Sequence, residues 1–139
     1  MKWQRRAWPC IVCVLGIACA GAGSAWMRNV PKTGRERANP YAGQREAIEA
    51  GAKLFADHCA ACHGSDALGR RGRPSLRSEE VQQATDGEIF WLLTNGNRRR
   101  GMPSWNSLPA PTRWQIVAYV KSLGVGGAGG VDHPAKDKQ

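Results

Sequence analysis

The chain has 139 residues, 20 of them basic and 11 acidic, for a formal charge of +9. That length holds one small domain with appendages rather than several domains. The basic balance excludes a strongly acidic, self-solvating chain and suits acidic partners, anionic membrane surfaces or nucleic acid, without choosing among them.

The first stretch reads MKWQRRAWPCIVCVLGIACAGAGSAW. Lys2, Arg5 and Arg6 precede Ala7 to Met27, which contains no charged side chain. Small residues follow at Ala20-Gly21-Ala22 and Gly23-Ser24-Ala25. Residues 1–25 therefore read as a secretory signal. An uncleaved anchor is the rival reading, because the 21 uncharged residues 7–27 just suffice to cross a bilayer and tether the chain to the membrane. A lipoprotein signal ending at Cys19 fits less well, with Gly16 where such signals usually carry Leu. In each case the basic end stays in the cytoplasm and the remainder is exported. The expected location is the periplasm, or the periplasmic face of the inner membrane if the segment is retained. Cys10, Cys13 and Cys19 lie in this apolar stretch, so only Cys59 and Cys62 belong to the exported part.

Residues 26–43 have little apolar content and several breakers, and read as a linker. Residues 125–139 are Gly-rich and then polar, and read as a flexible tail. The folded unit is expected at 44–124. Within it, QREAIEAGAKLFADH places Ala47, Ile48, Gly51, Leu54 and Phe55 at helical spacing. Gly51 costs about 1 kcal/mol in mid-helix, which is understandable if another helix crosses there at close range. A further helix is predicted from Asp86, taken as the N-cap, to Gly96, and RSEEVQQA before it allows a turn or two. The last helix is predicted from near Pro111 to Gly124, with Ile116, Val117, Val120 and Leu123 as its buried stripe and Trp114 and Tyr119 flanking it. No stretch alternates like a strand. An all-α domain of about 80 residues with two long loops, 64–77 and 97–110, has a thin core and needs a staple.

The stretch HCAACHG, residues 58–64, offers that staple. Structural zinc takes four ligands, whereas Cys59, Cys62 and His63 make three, and the adjacent Cys62 and His63 fit one tetrahedral ion poorly. A dithiol redox motif comes within a βαβ pattern, which is missing here. C-x-x-C-H is the spacing of c-type haem attachment. Two thiols add across the two haem vinyl groups as thioethers, and the adjacent His63 lies beneath the iron. One covalent haem c agrees with export, where a loosely held haem would be lost. Met102, in RRRGMPSWN between two helices, is the candidate sixth ligand, although a loop Met can also be plain surface. His58, beside Cys59, and His133, in the tail, are weaker candidates. A thioether ligand raises the reduction potential.

The chain here resembles the class I cytochromes c: Gly51 and Phe55, Cys59, Cys62, His63 and Gly64, Pro74 and Leu76, Met102, Pro103 and Trp105, and Tyr119 match the family pattern across 44–123. The resemblance implies a small cytochrome c fold, three or more helices around the haem, with Gly51 and Phe55 meeting the last helix near Ile116 and Tyr119. It also implies that the Pro74 carbonyl accepts a hydrogen bond from the His63 ring and so orients the ligand; a simple turn is the bland alternative for Pro74. Trp105 packs on the haem, reaches a propionate, or is ordinary core; the sequence leaves all three open.

Arg70, Arg71, Arg73 and Arg77, and Arg98, Arg99 and Arg100, form two basic clusters. They read as solvated surface or as a rim that steers an acidic patch on a redox partner toward the haem edge. Nucleic acid is an unsuitable partner for an exported haem protein. No general base, nucleophile or substrate pocket is visible. The expected function is a single-electron carrier rather than an enzyme. Two alternatives are a fixed haem subunit of a larger oxidoreductase, and a haem catalyst or gas sensor with an open sixth site.

Overall fold

The computed structural model describes residues 25–124, which contain six α-helices: α1 (Lys32–Arg35), α2 (Arg45–His58), α3 (Ala60–His63), α4 (Glu79–Gln83), α5 (Asp86–Asn95) and α6 (Ala110–Ser122). The leader readings on residues 1–24 and the tail reading on 125–139 lie outside the described residues. Among the described residues no strand forms, and no helix is long and apolar enough to cross a membrane. The fold is all-α, as its sequence pattern implies.

The core is built where α2 crosses α6. Phe55, Ile116 and Val117 are the largest fully buried side chains, each at most 2% exposed. A Cβ on Gly51 would stand 2.1 Å from the carbonyl oxygen of Gln115 and 2.9 Å from Cβ of Tyr119. The mid-helix glycine is therefore the point of closest backbone approach, and its propensity cost is offset by the contact it permits. Beside it, the rings of Phe55 and Tyr119 lie 5.2 Å apart and tilted by 51°. Val81, Ala84, Ile89, Phe90, Leu93 and Trp114 extend this core toward α4 and α5. Phe90 stacks on Trp114 with ring centroids 3.9 Å apart.

Helix α5 begins as predicted, but its cap lies one residue earlier. Thr85 is the N-cap: its hydroxyl accepts from the Glu88 backbone N–H at 3.1 Å, and Glu88 accepts in return from the Thr85 N–H at 2.8 Å. This reciprocal box needs Glu three residues after the cap, a condition met from Thr85 and not from Asp86. The Thr85 hydroxyl also donates to the Arg35 carbonyl at 2.9 Å, which ties α5 to the segment before it.

That segment corrects one expectation. Residues 26–43 are not a draped linker; the stretch packs on the domain at several points. Val30, Gly34 and Asn39 are buried. The Asn39 amide donates to the Trp114 carbonyl at 3.0 Å, while its oxygen accepts from the Tyr41 N–H. A Cβ on Gly87 would lie 2.1 Å from the Gly34 carbonyl, so α1 rests directly on the start of α5. The contacts are single tertiary ones, spread over a polar stretch with no periodicity, which is why composition read as linker.

Candidate functional site

Helix α2 ends at His58, and Cys59 starts the next turn with φ −118° and ψ −35°. The single turn of α3 follows, with the His63 N–H bonded to the Cys59 carbonyl at 2.9 Å. Residues three apart on a helix share a face, so this turn puts Cys59 and Cys62 on one side with His63 next to them. Both cysteines are free thiols, Cys59 half-buried and Cys62 exposed.

Gly64 leaves the helix with φ +83°, and the chain folds back through residues 64–77. The Gly69 N–H bonds the His63 carbonyl at 2.8 Å, and the Leu76 N–H bonds the Ala67 carbonyl at 2.9 Å. This returns the Pro74 carbonyl to 3.3 Å from His63 Nδ1. A carbonyl only accepts, so Nδ1 carries the proton and Nε2 keeps its lone pair for another partner. Gly69 makes the fold-back possible: at φ +88°, a Cβ there would lie 2.4 Å from the Arg73 carbonyl.

The second long loop is organised around Met102. Asn97 and Met102 exchange backbone hydrogen bonds of 2.9 and 3.0 Å, closing a narrow antiparallel bridge. Gly96 and Gly101 flank it, both with positive φ. Met102 is partly buried and packs on the core, as do Cys59, Leu76 and Trp105. Trp105 lies against His58, with ring centroids 5.3 Å apart, and its backbone N–H bonds the Leu93 carbonyl. His58 thus packs on an aromatic ring. The two loops also meet directly: Arg73, beside Pro74, donates to the carbonyl of Arg100, two residues before Met102.

The electrostatics match this donor set. Burial lowers the His63 pKa, with the Pro74 hydrogen bond opposing and the Arg73 charge adding to the shift, so the ring is neutral at physiological pH. Burial first, and the neighbouring Cys62 second, push the Cys59 thiol up to about 11. A dithiol redox centre needs the opposite, a thiol pulled below its usual value. Among the described residues no group of three His, Cys, Asp or Glu side chains is arranged to hold a bare metal ion. Two free thiols on one turn, an imidazole with a fixed tautomer and a thioether on a loop packed against the core fit a covalently attached haem.

The fold and this site define a c-type cytochrome domain, an electron-transfer module of the class whose haem is covalently bound. Comparison with known proteins narrows the class. Residues 46–120 match the family described as cytochrome C oxidase, cbb3-type, subunit III, and the chain belongs to that family. It is 41% identical over 81 residues to the cbb3-type cytochrome c oxidase subunit FixP of Bradyrhizobium sp. strain ORS 278, covering 55% of this chain and 28% of that one. It is 37% identical over 79 residues to subunit CcoP of Cereibacter sphaeroides, covering 55% and 27%. The chain thus spans under a third of the length of these relatives. Among solved structures, cytochrome cL of Methylophaga aminisulfidivorans is similar with a TM-score of 0.54 and 30% identity, over 73% of this chain and 70% of that one. Cytochrome cL of Hyphomicrobium denitrificans shares the fold at a TM-score of 0.50 and 20% identity, over 70% and 65%.

Proposed function

We propose that residues 44–124 hold one haem c and pass single electrons on the periplasmic side of the inner membrane, with no catalytic residue of their own. The observation that carries this reading is the α3 turn, where two free thiols adjoin an imidazole whose Nδ1 is tied to the Pro74 carbonyl. The chemistry the haem supplies is a one-electron change between ferric and ferrous iron. The protein's part is to hold that iron in a fixed ligand set so that little rearranges when an electron arrives.

In this assignment Cys59 and Cys62 would hold the haem covalently, as thioethers to its two vinyl groups. His63 would hold the iron through Nε2, oriented and made more basic by Pro74. Met102 would hold it through the thioether sulfur, a donor that favours ferrous iron and raises the potential. Trp105, packed on His58 and the core, shields one side of the haem pocket. The seven arginines of the two clusters are all exposed, and the bond from Arg73 to Arg100 joins them into adjacent surfaces. They would steer an acidic patch of a redox partner, so turnover should slow as ionic strength rises.

A second reading, that the chain is a fixed subunit of an oxidase, is favoured by the relatives, which are subunits of cbb3-type cytochrome c oxidases. Co-purification with a membrane complex and a detergent requirement would select it over a free carrier. The first experiment is a visible spectrum in both oxidation states, with carbon monoxide added to the reduced protein. Sharp low-spin bands unchanged by carbon monoxide are expected. Rapid stoichiometric binding would overturn the six-coordinate reading in favour of a gas-binding or catalytic site.

A further inference from the structure

On a face that shares no residue with the thiol, His63 and Met102 groups, two arginines meet with nothing negative between them. A cavity of about 200 Å³ opens between α1, α5 and the start of α6, lined in part by Arg37, Arg113, Thr94, Phe90 and Trp91. The guanidinium of Arg37 lies 4.5 Å from the Phe90 ring centroid and that of Arg113 lies 4.7 Å from the same ring. Close approach of α1 to Gly87 delivers Arg37 to this position, because the carbonyls of Gly34, Arg35 and Arg37 all come within 2.9 Å of where a Gly87 Cβ would stand. Arg113 reaches the cavity from α6 and donates to the Thr94 hydroxyl.

The carboxylates of Glu36 and Glu88 are used elsewhere. Glu36 pairs with Lys32 at 3.7 Å, and Glu88 pairs with Arg35 at 3.6 Å and caps α5. Neither Arg37 nor Arg113 has an ion-pair partner among the described residues. Arg113 Nε is also buried with no hydrogen-bond partner. A buried donor left unmade costs about 1–3 kcal/mol, more when the group is charged. Burial first, and the neighbouring Arg37 charge second, lower the Arg113 pKa. Aromatic faces offset part of that cost, but they leave the forked N–H donors unsatisfied.

We propose that this cavity is a binding site for a small oxydianion of the phosphate class, held between the guanidinium groups of Arg37 and Arg113. Two fixed positive charges call for a dianion, since a single carboxylate would leave one of them uncompensated. Guanidinium forks match the tetrahedral oxygens of phosphate, and the cavity is large enough for one such ion but encloses too little space for a nucleotide. The same chemistry is offered by free phosphate and by the phosphomonoester headgroup of phosphatidate at a membrane surface.

The test is calorimetric titration of the haem-loaded protein with sodium phosphate at mildly alkaline pH, in chloride buffer of matched ionic strength. One-to-one binding is expected, weakened about tenfold in Arg37→Gln and in Arg113→Gln, the loss of one charge-assisted contact. Arg37 is exposed, so its variant keeps the fold even if that of Arg113 does not. Arg71→Gln, in the other basic cluster, should bind phosphate as the parent does. Sedimentation with phosphatidylcholine vesicles containing phosphatidate, lost in Arg37→Gln, would name the lipid headgroup as the source; phosphate binding without vesicle binding would name the free ion. No binding to either probe overturns the proposal, and so does binding that survives Arg37→Gln but is lost in Arg71→Gln.

Discussion

The α2–α6 crossing and the haem-side loops are stabilised by different means. At the crossing, a glycine lets two backbones approach and a fully buried Phe55–Ile116–Val117 cluster fills the space. On the haem side, residues 64–77 and 97–110 contribute few buried side chains and are held by backbone hydrogen bonds at glycine turns and by two arginines, Arg73 on the Arg100 carbonyl and Arg77 on the Asp66 carbonyl. The crossing carries the fold; the loops carry groups that reach their full use only around a haem. Substitutions in the two regions should therefore fail differently, one in stability and the other in chemistry.

The largest effect belongs to the thiols. Replacing both Cys59 and Cys62 by Ala should abolish covalent haem altogether, read as loss of haem signal on a denaturing gel. Each single replacement should leave one thioether and shift the visible bands. Next is Met102→Ala, which should take the reduced iron from no carbon monoxide binding to stoichiometric binding and lower the potential, with little change in unfolding midpoint. A Met102→Ala loss of stability equal to that of Gly51→Ala at the crossing would erase the distinction between the regions.

Gly51→Ala probes the other side of the comparison. Ala gains about 1 kcal/mol of helix propensity, but its Cβ would sit 2.1 Å from the Gln115 carbonyl, and overpacking of that kind costs about 1–3 kcal/mol with a backbone atom in the way. The clash should win, giving a net loss of up to about 2 kcal/mol in denaturant unfolding while the spectrum and carbon monoxide response stay those of the parent. A stabilised Gly51→Ala would mean that the helices move apart more easily than the packing indicates.

The crossing was legible because it is periodic. Ala47, Gly51 and Phe55 recur at helical spacing, and a costly glycine inside such a stripe points to a neighbour. C-x-x-C-H was legible because covalent chemistry dictates the spacing. The contact of Pro74 with His63 came only through family resemblance, since a separation of eleven residues across irregular loop hides it from any local rule. Residues 26–43 misled because their burial rests on isolated contacts, such as Asn39 with Trp114, that leave no pattern. Arg37 and Arg113 meet only in the folded chain, and nothing local in either stretch announces the pairing.

The smallest effect sharpens the comparison from within the crossing. Burial raises the Tyr119 pKa, with Arg77 opposing, so the folded protein keeps the phenol protonated at a pH where the unfolded chain, near the ordinary value of 10, ionises. The stabilisation is present below that value and is lost as pH rises through it toward the folded value, because the unfolded state then gives up its proton first. The ring is only half-buried, so solvent screens much of the effect. Unfolding midpoints of the haem protein should decline between pH 9 and 11, and Tyr119→Phe should decline less over the same interval. An identical decline in the variant would move the alkaline sensitivity out of the crossing and into the loops.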